Sequence, residues 1–120
     1  MLHASHAEDP QLLALLGSMA QSVGTDGFKR QQAAAMNRQD ARDVLPTLHC
    51  PALVLCGRED QITPPALSEE MAGLLPGDVE LAVVPQSGHM STLEQPATVV
   101  AAFMRWLGRV DAAASPLAGR

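Results

Sequence analysis

The sequence contains no tyrosine and only three aromatic side chains, Phe28, Phe103 and Trp106. Any core must therefore be built from Leu, Val, Ala and Met. No apolar run approaches the roughly 20 residues needed to cross a bilayer, so no membrane association is expected. Basic residues are also few: 8 Lys and Arg against 13 Asp and Glu leave a net charge of -5. That balance argues against a nucleic-acid partner, which calls for a basic face. Two cysteines, Cys50 and Cys56, do not make a disulfide framework. The start, Met1-Leu2-His3-Ala4-Ser5-His6, has neither a Lys/Arg cluster nor an apolar h-region, so no signal peptide is expected. A reduced, cytoplasmic setting is the default expectation. His3, His6, His49 and Cys50 match no trusted ligand spacing, so they are read as loop residues, and neither a metal nor a cofactor is expected.

What is present suits one small domain. Of the 120 residues 47% are hydrophobic and 18% charged, ordinary values for a globular chain long enough to bury a core of its own. After a loose start over residues 1–8, Asp9 followed by Pro10 makes a helix opening: a side-chain acceptor, then a residue whose missing N–H costs nothing. Leu12, Leu15, Leu16, Met19 and Val23 then follow helical spacing, and Gly24 can end the run. A second helix is expected from about Asp26 to Asn37, burying Phe28, Ala35 and Met36, with Lys29, Arg30, Gln31 and Arg38 on its polar side. A short third helical piece runs from about Asp40 to Leu45. Residues 1–48 thus read as a helical segment without chemistry of its own.

The pattern changes after His49. Ala52-Leu53-Val54-Leu55-Cys56 is a continuous apolar run, as in a parallel strand covered on both faces. Thr63 can cap a helix opened by Pro64 and Pro65, with Leu67, Met71, Leu74 and Leu75 inward, and Pro76-Gly77-Asp78 breaks it. Val79 to Val84 forms the next strand, followed by the loop Pro85-Gln86-Ser87-Gly88. A last helix begins near Pro96 and buries Val99, Val100, Phe103 and Leu107. Residues 49–110 form this strand-helix-strand-helix part, and 111–120 a disordered tail rich in small residues. The fold class is α/β with two parallel strands, joined by a right-handed crossover. Open α/β sheets place their sites at the carboxyl ends of the strands. Asp60 lies just past the first strand and His89 just past the second, so both belong to one edge.

A carboxylate facing one imidazole nitrogen fixes the tautomer and stabilises the imidazolium formed when the other nitrogen takes a proton. That is the chemical reason to want Asp60 and His89 together. Taken singly, Asp60 is a turn residue after Gly57 and His89 a loop histidine; the joint placement at one edge is what points to catalysis. Glu94 reads as a helix-start residue, Glu59 as solvated, Arg58 as a surface arginine and Cys56 as a buried core thiol.

Two segments also carry a resemblance. Cys50-Pro51-Ala52-Leu53-Val54-Leu55-Cys56-Gly57-Arg58-Glu59-Asp60-Gln61-Ile62-Thr63-Pro64 resembles the acid-bearing segment of the α/β-hydrolase superfamily. Val83-Val84-Pro85-Gln86-Ser87-Gly88-His89-Met90-Ser91-Thr92-Leu93-Glu94-Gln95-Pro96 is similar to its histidine-bearing segment. Acid before histidine is the family's order. The resemblance implies a partial α/β-hydrolase fold, with Asp60 as triad acid, His89 as general base, and residues 1–48 as the end of a cap or lid. The family's nucleophile lies on a Gly-x-Ser-x-Gly elbow, and none of Ser5, Ser18, Ser22, Ser68, Ser87, Ser91 and Ser115 has that context. The resemblance therefore implies the C-terminal part of a serine hydrolase of carboxylic esters, lactones or C–C bonds. An N-terminal hydrolase half would complement it toward a small ester-like substrate. Two alternatives stand beside it: a non-catalytic α/β module that binds or forms homo-oligomers, and part of an acyltransferase, or of a member with an aspartate nucleophile, in the same superfamily.

Overall fold

The computed structural model describes residues 1–115. A short 3-10 turn over Ala4–His6 leads into helix α1, Pro10–Asn37, and a second turn over Leu45–Thr47 leads into strand β1, Ala52–Gly57. Helix α2 spans Pro65–Leu74, strand β2 Val79–Val84, the single turn α3 Ser91–Glu94, and helix α4 Pro96–Ala114. The strands pair in parallel, with Ala52 opposite Val79 and Gly57 opposite Val84. The α/β order and the two-stranded parallel sheet are thus as the sequence predicts.

Why these residues form these elements is clear at most boundaries. The Asp9 carboxylate accepts from the N–H groups of Gln11 and Leu12, and Pro10 takes the first helical position. Gly24 sits at φ 66°, ψ 171°, so α1 is two helices meeting at a kink rather than one rod. A positive φ costs glycine little because it has no Cβ. The expected third helical piece over Asp40 to Leu45 is displaced. Its turn forms instead at Leu45–Thr47, since Pro46 has no N–H to give and suits a first-turn position. Helix α2 begins at Pro65 with no side-chain cap; Thr63, expected to cap it, is engaged elsewhere.

The core is small and lies between the strands and α4: Val54, Cys56, Val84, Val99 and Ala102 are buried. Both α2 and α4 pack on β1 and β2. At the amino end of the sheet, Arg105 and Arg109 of α4 clasp the Glu80 carboxylate at 2.6 and 2.5 Å. Their hydrogen bonds hold the Glu80 carboxyl below its ordinary range. Arg109 also donates to the Ala52 carbonyl at 2.9 Å, and the Trp106 indole N–H donates to that of Pro51 at 2.9 Å. The last helix is thereby fixed across the starts of both strands.

Several expected burials are not found. Helix α1 has no buried residue, and Met19, Phe28 and Met36 are exposed. Leu67 and Met71 of α2 and Val100, Phe103 and Leu107 of α4 are exposed as well. The apolar periodicity is real, but these side chains are left largely open to solvent. The radius of gyration of 17.0 Å exceeds the ~14 Å of a compact chain of this length, as a poorly packed helical arm requires. The first part of the segment expected to be disordered is helical. Helix α4 continues through Asp111 to Ala114, where three successive alanines favour helix, and the rest of the expected disordered segment, residues 116–120, lies outside the described residues.

Two glycines give a direct check. A Cβ on Gly57 would collide with the backbone carbonyls of Gly88 and Ser87, whereas Gly73 has nothing within 4 Å. Gly57→Ala should lower stability by about 2 kcal/mol or more, because backbone cannot yield as a side chain can. Gly73→Ala, inside α2, should raise it by up to about 1 kcal/mol. Urea unfolding of the two variants decides this; equal effects would contradict the close approach at Gly57.

Candidate active site

The two loops that follow β1 and β2 are joined by backbone hydrogen bonds that prolong the strand pairing. Arg58 N–H donates to the Val84 carbonyl at 2.8 Å, and Glu59 N–H donates to the Ser87 carbonyl at 3.0 Å. The Glu59 carboxylate completes a reciprocal clamp by accepting from the Ser87 N–H at 3.0 Å. Glu59 is thus a partly buried brace, not the solvated side chain its charge suggests. Gln86 turns the second loop at φ 52°, a left-handed conformation uncommon outside glycine.

This clamp brings Asp60 and His89 together: Asp60 Oδ2 lies 2.8 Å from His89 Nδ1. The carboxylate is nearly saturated. Oδ1 accepts from the N–H groups of Ile62 and Thr63 at 2.8 and 3.0 Å, and Oδ2 also accepts from the Thr63 hydroxyl at 2.9 Å. Burial by itself would push the Asp60 carboxyl up. The hydrogen bond from His89, with those from Thr63 and Ile62, outweighs it and brings the group down to about 2. An ionised carboxylate can only accept, so His89 Nδ1 carries the proton. In the neutral ring Nε2 is then the free base. The Asp60 side chain is 4% exposed and that of His89 37%, so the acid is enclosed while the imidazole remains reachable. The arrangement can accept a proton at Nε2 and hold the resulting imidazolium against a fixed negative charge.

Sequence reasoning anticipates that Asp60 and His89 meet and misses the side chains that hold them. Thr63 braces the acid instead of capping α2. The spacing Asp60-x-x-Thr63 is the available signal, because an Asp side chain commonly accepts from backbone two and three residues on. Glu94 stands in the entry to α4 as expected, at the end of α3, but is buried there, where it accepts from the Gly88 N–H at 2.9 Å and the His3 N–H at 2.6 Å. The first residues, expected to be loose, are tied down: His89 N–H donates to the Met1 carbonyl at 2.6 Å, and His6 Nδ1 lies 3.2 Å from Glu94. No local pattern announces these contacts, which span about ninety residues of sequence. His49, Cys50 and Arg58 are exposed and Cys56 is buried. Among the described residues no group of His, Cys, Asp and Glu is placed to hold a metal ion, and no helix is long and apolar enough to cross a membrane.

The Asp60 carboxyl provides a pH test. Its folded value lies below its ordinary 3.8, so its contribution to stability is full above about 4 and is lost as the pH falls through about 2. Carboxyl-carbon NMR should give Asp60 a midpoint near 2, moving upward in His89→Ala. A midpoint at or above the ordinary value would contradict the hydrogen-bonded pair.

A family model described as the α/β-hydrolase fold matches residues 5–96. Among solved structures, a thermophilic esterase from Thermogutta terrifontis, bound to malate, is 43% identical, with a TM-score of 0.59 over 62% of this chain and 27% of its own. MGS-M2, an α/β-hydrolase enzyme from a Medee basin deep-sea metagenome library, is 32% identical, with a TM-score of 0.54 over 57% of this chain and 25% of its own. The Rv0554 protein of Mycobacterium tuberculosis, 23% identical, shares the fold with a TM-score of 0.72 over 91% of this chain and 40% of its own. The chain thus spans between a quarter and two fifths of these structures. No curated protein matches it.

Proposed function

The chain belongs to the α/β-hydrolase fold family, and we propose that it is the C-terminal portion of a serine hydrolase of carboxylic esters, with Asp60 as triad acid and His89 as general base. The observation that carries this reading is the 2.8 Å hydrogen bond between an enclosed, ionised Asp60 and a reachable His89. Similarity to the esterase from Thermogutta terrifontis supports the ester class.

The chemistry follows from the pair. A serine hydroxyl gives its proton to His89 Nε2 while its oxygen bonds to the ester carbonyl carbon. The carbonyl π electrons move to oxygen, and Asp60 stabilises the imidazolium. Collapse of this tetrahedral species breaks the bond to the alcohol oxygen, which leaves with the proton from Nε2. Water then repeats the sequence on the acyl-serine and releases the carboxylic acid. No serine of this chain stands on the elbow that the family uses, so the hydroxyl comes from a polypeptide segment beyond it.

The uncovered apolar side chains of α1, α2 and α4 favour a protein surface over them. In this reading that surface is the N-terminal hydrolase half, which adds strands to the sheet and carries the serine. Self-association of the chain is the second reading, favoured by the same exposed side chains.

A chimera tests the first. The chain joined to an N-terminal α/β-hydrolase segment bearing a Gly-x-Ser-x-Gly elbow should hydrolyse a short p-nitrophenyl ester, and the chain alone should not. In the chimera His89→Ala should lower kcat by about 10²–10⁴-fold, the usual size of a general-base contribution. Hydrolysis by the chain alone that survives His89→Ala would overturn the assignment.

A further inference from the structure

We infer that Glu94 is the positioning residue for His89: its carboxylate ties the loop that carries the imidazole to residues 3–6, and so sets where the ring stands against Asp60. The inference rests on Asp60 and His89 being acid and base.

Glu94 has a side chain that is 0% exposed. A buried carboxylate is costly unless charges and hydrogen bonds compensate it. The compensation here comes from two separate parts of the chain. One oxygen accepts from the N–H of Gly88, the residue immediately before His89, at 2.9 Å. The other accepts from the His3 N–H at 2.6 Å and lies 3.2 Å from His6 Nδ1. Residues 1–3 in turn hold the histidine directly, since His89 N–H donates to the Met1 carbonyl at 2.6 Å. The segments approach at backbone distance, for a Cβ on Gly88 would collide with the Met1 carbonyl.

Beyond the Glu59–Ser87 clamp, the two hydrogen bonds that hold the backbone N–H groups of Gly88 and His89 both depend on this one carboxylate. Gly88 is held by it directly. His89 is held through a segment that it fastens at His3. The imidazole itself is 37% exposed and meets Asp60 and Thr63 at Nδ1 alone, so little else directs the ring. Glu94 makes no contact with the ring nitrogens, which makes its role one of placement. It also links the residues that lead into α1 to the base of the proposed triad.

NMR of the full chain carrying isotope-labelled histidine tests this. In the unsubstituted chain the His89 Nδ1 proton, bonded to Asp60, gives a downfield resonance. Glu94→Gln has one acceptor oxygen in place of two, so it cannot serve Gly88 and His3 together. The resonance should move upfield and broaden, and Gly88 amide exchange should accelerate roughly tenfold to a hundredfold. Glu94→Ala should abolish the resonance. Val54→Ala, which loosens the core away from this junction, should leave it in place. An unchanged resonance in folded Glu94→Ala overturns the inference; if that variant does not fold, an unchanged resonance in Glu94→Gln overturns it. A chain that shows no downfield resonance before any substitution contradicts the Asp60–His89 pair itself, and the inference falls with it. That failure differs from a resonance that is present and indifferent to Glu94.

Discussion

Everything at the site depends on the parallel pairing of β1 and β2 being carried past the ends of the strands. Gly57 stands opposite Val84, and the next hydrogen bonds join Arg58 to Val84 and Glu59 to Ser87. The two loops therefore leave the sheet as a bonded pair. Gly57 permits this because any side chain there would strike the Ser87–Gly88 backbone. From that fixed departure, three further residues on one loop and five on the other bring a carboxylate and an imidazole to 2.8 Å.

The same architecture explains why the rest of the molecule is so open. Hydrophobic side chains follow helical spacing throughout α1, α2 and α4, yet among the described residues five hydrophobic side chains are buried. A sequence with this many apolar positions is patterned for more neighbours than two strands and four helices supply. Polar contacts fasten both ends of the sheet. Arg105, Arg109 and Trp106 hold the amino end of the sheet. Glu59, Glu94 and Thr63 hold the carboxyl end. The sheet is thus braced at both ends while its apolar flanks stay uncovered.

Much of this was legible in the residues. The unbroken apolar run of β1, the Pro-Gly-Asp break before β2 and the proline at the start of α4 each carry a local signal, and the strands and helices fall where those signals lie. The meeting of Asp60 and His89 was legible because a βαβ order sends both to one edge. The supports were not, for two different reasons. Thr63 satisfies two local rules, helix capping and turn bracing, and only the folded chain shows which prevails. Glu94 and residues 1–6 meet across most of the sequence, and no local period encodes such a contact. Burial was misjudged on Phe28, Val100 and Phe103 for a third reason: periodicity reports which face wants cover, not whether cover is present.

The central claim is that Asp60 and His89 act as one unit in acid–base chemistry. A double-mutant cycle on kcat in the complemented enzyme tests it most directly, using Asp60→Asn, His89→Ala and the pair. Groups that work as a unit are strongly non-additive. Once His89 is gone, Asp60→Asn should cost little more, and the double variant should match His89→Ala. Independent, multiplying losses in the two single variants would contradict the account.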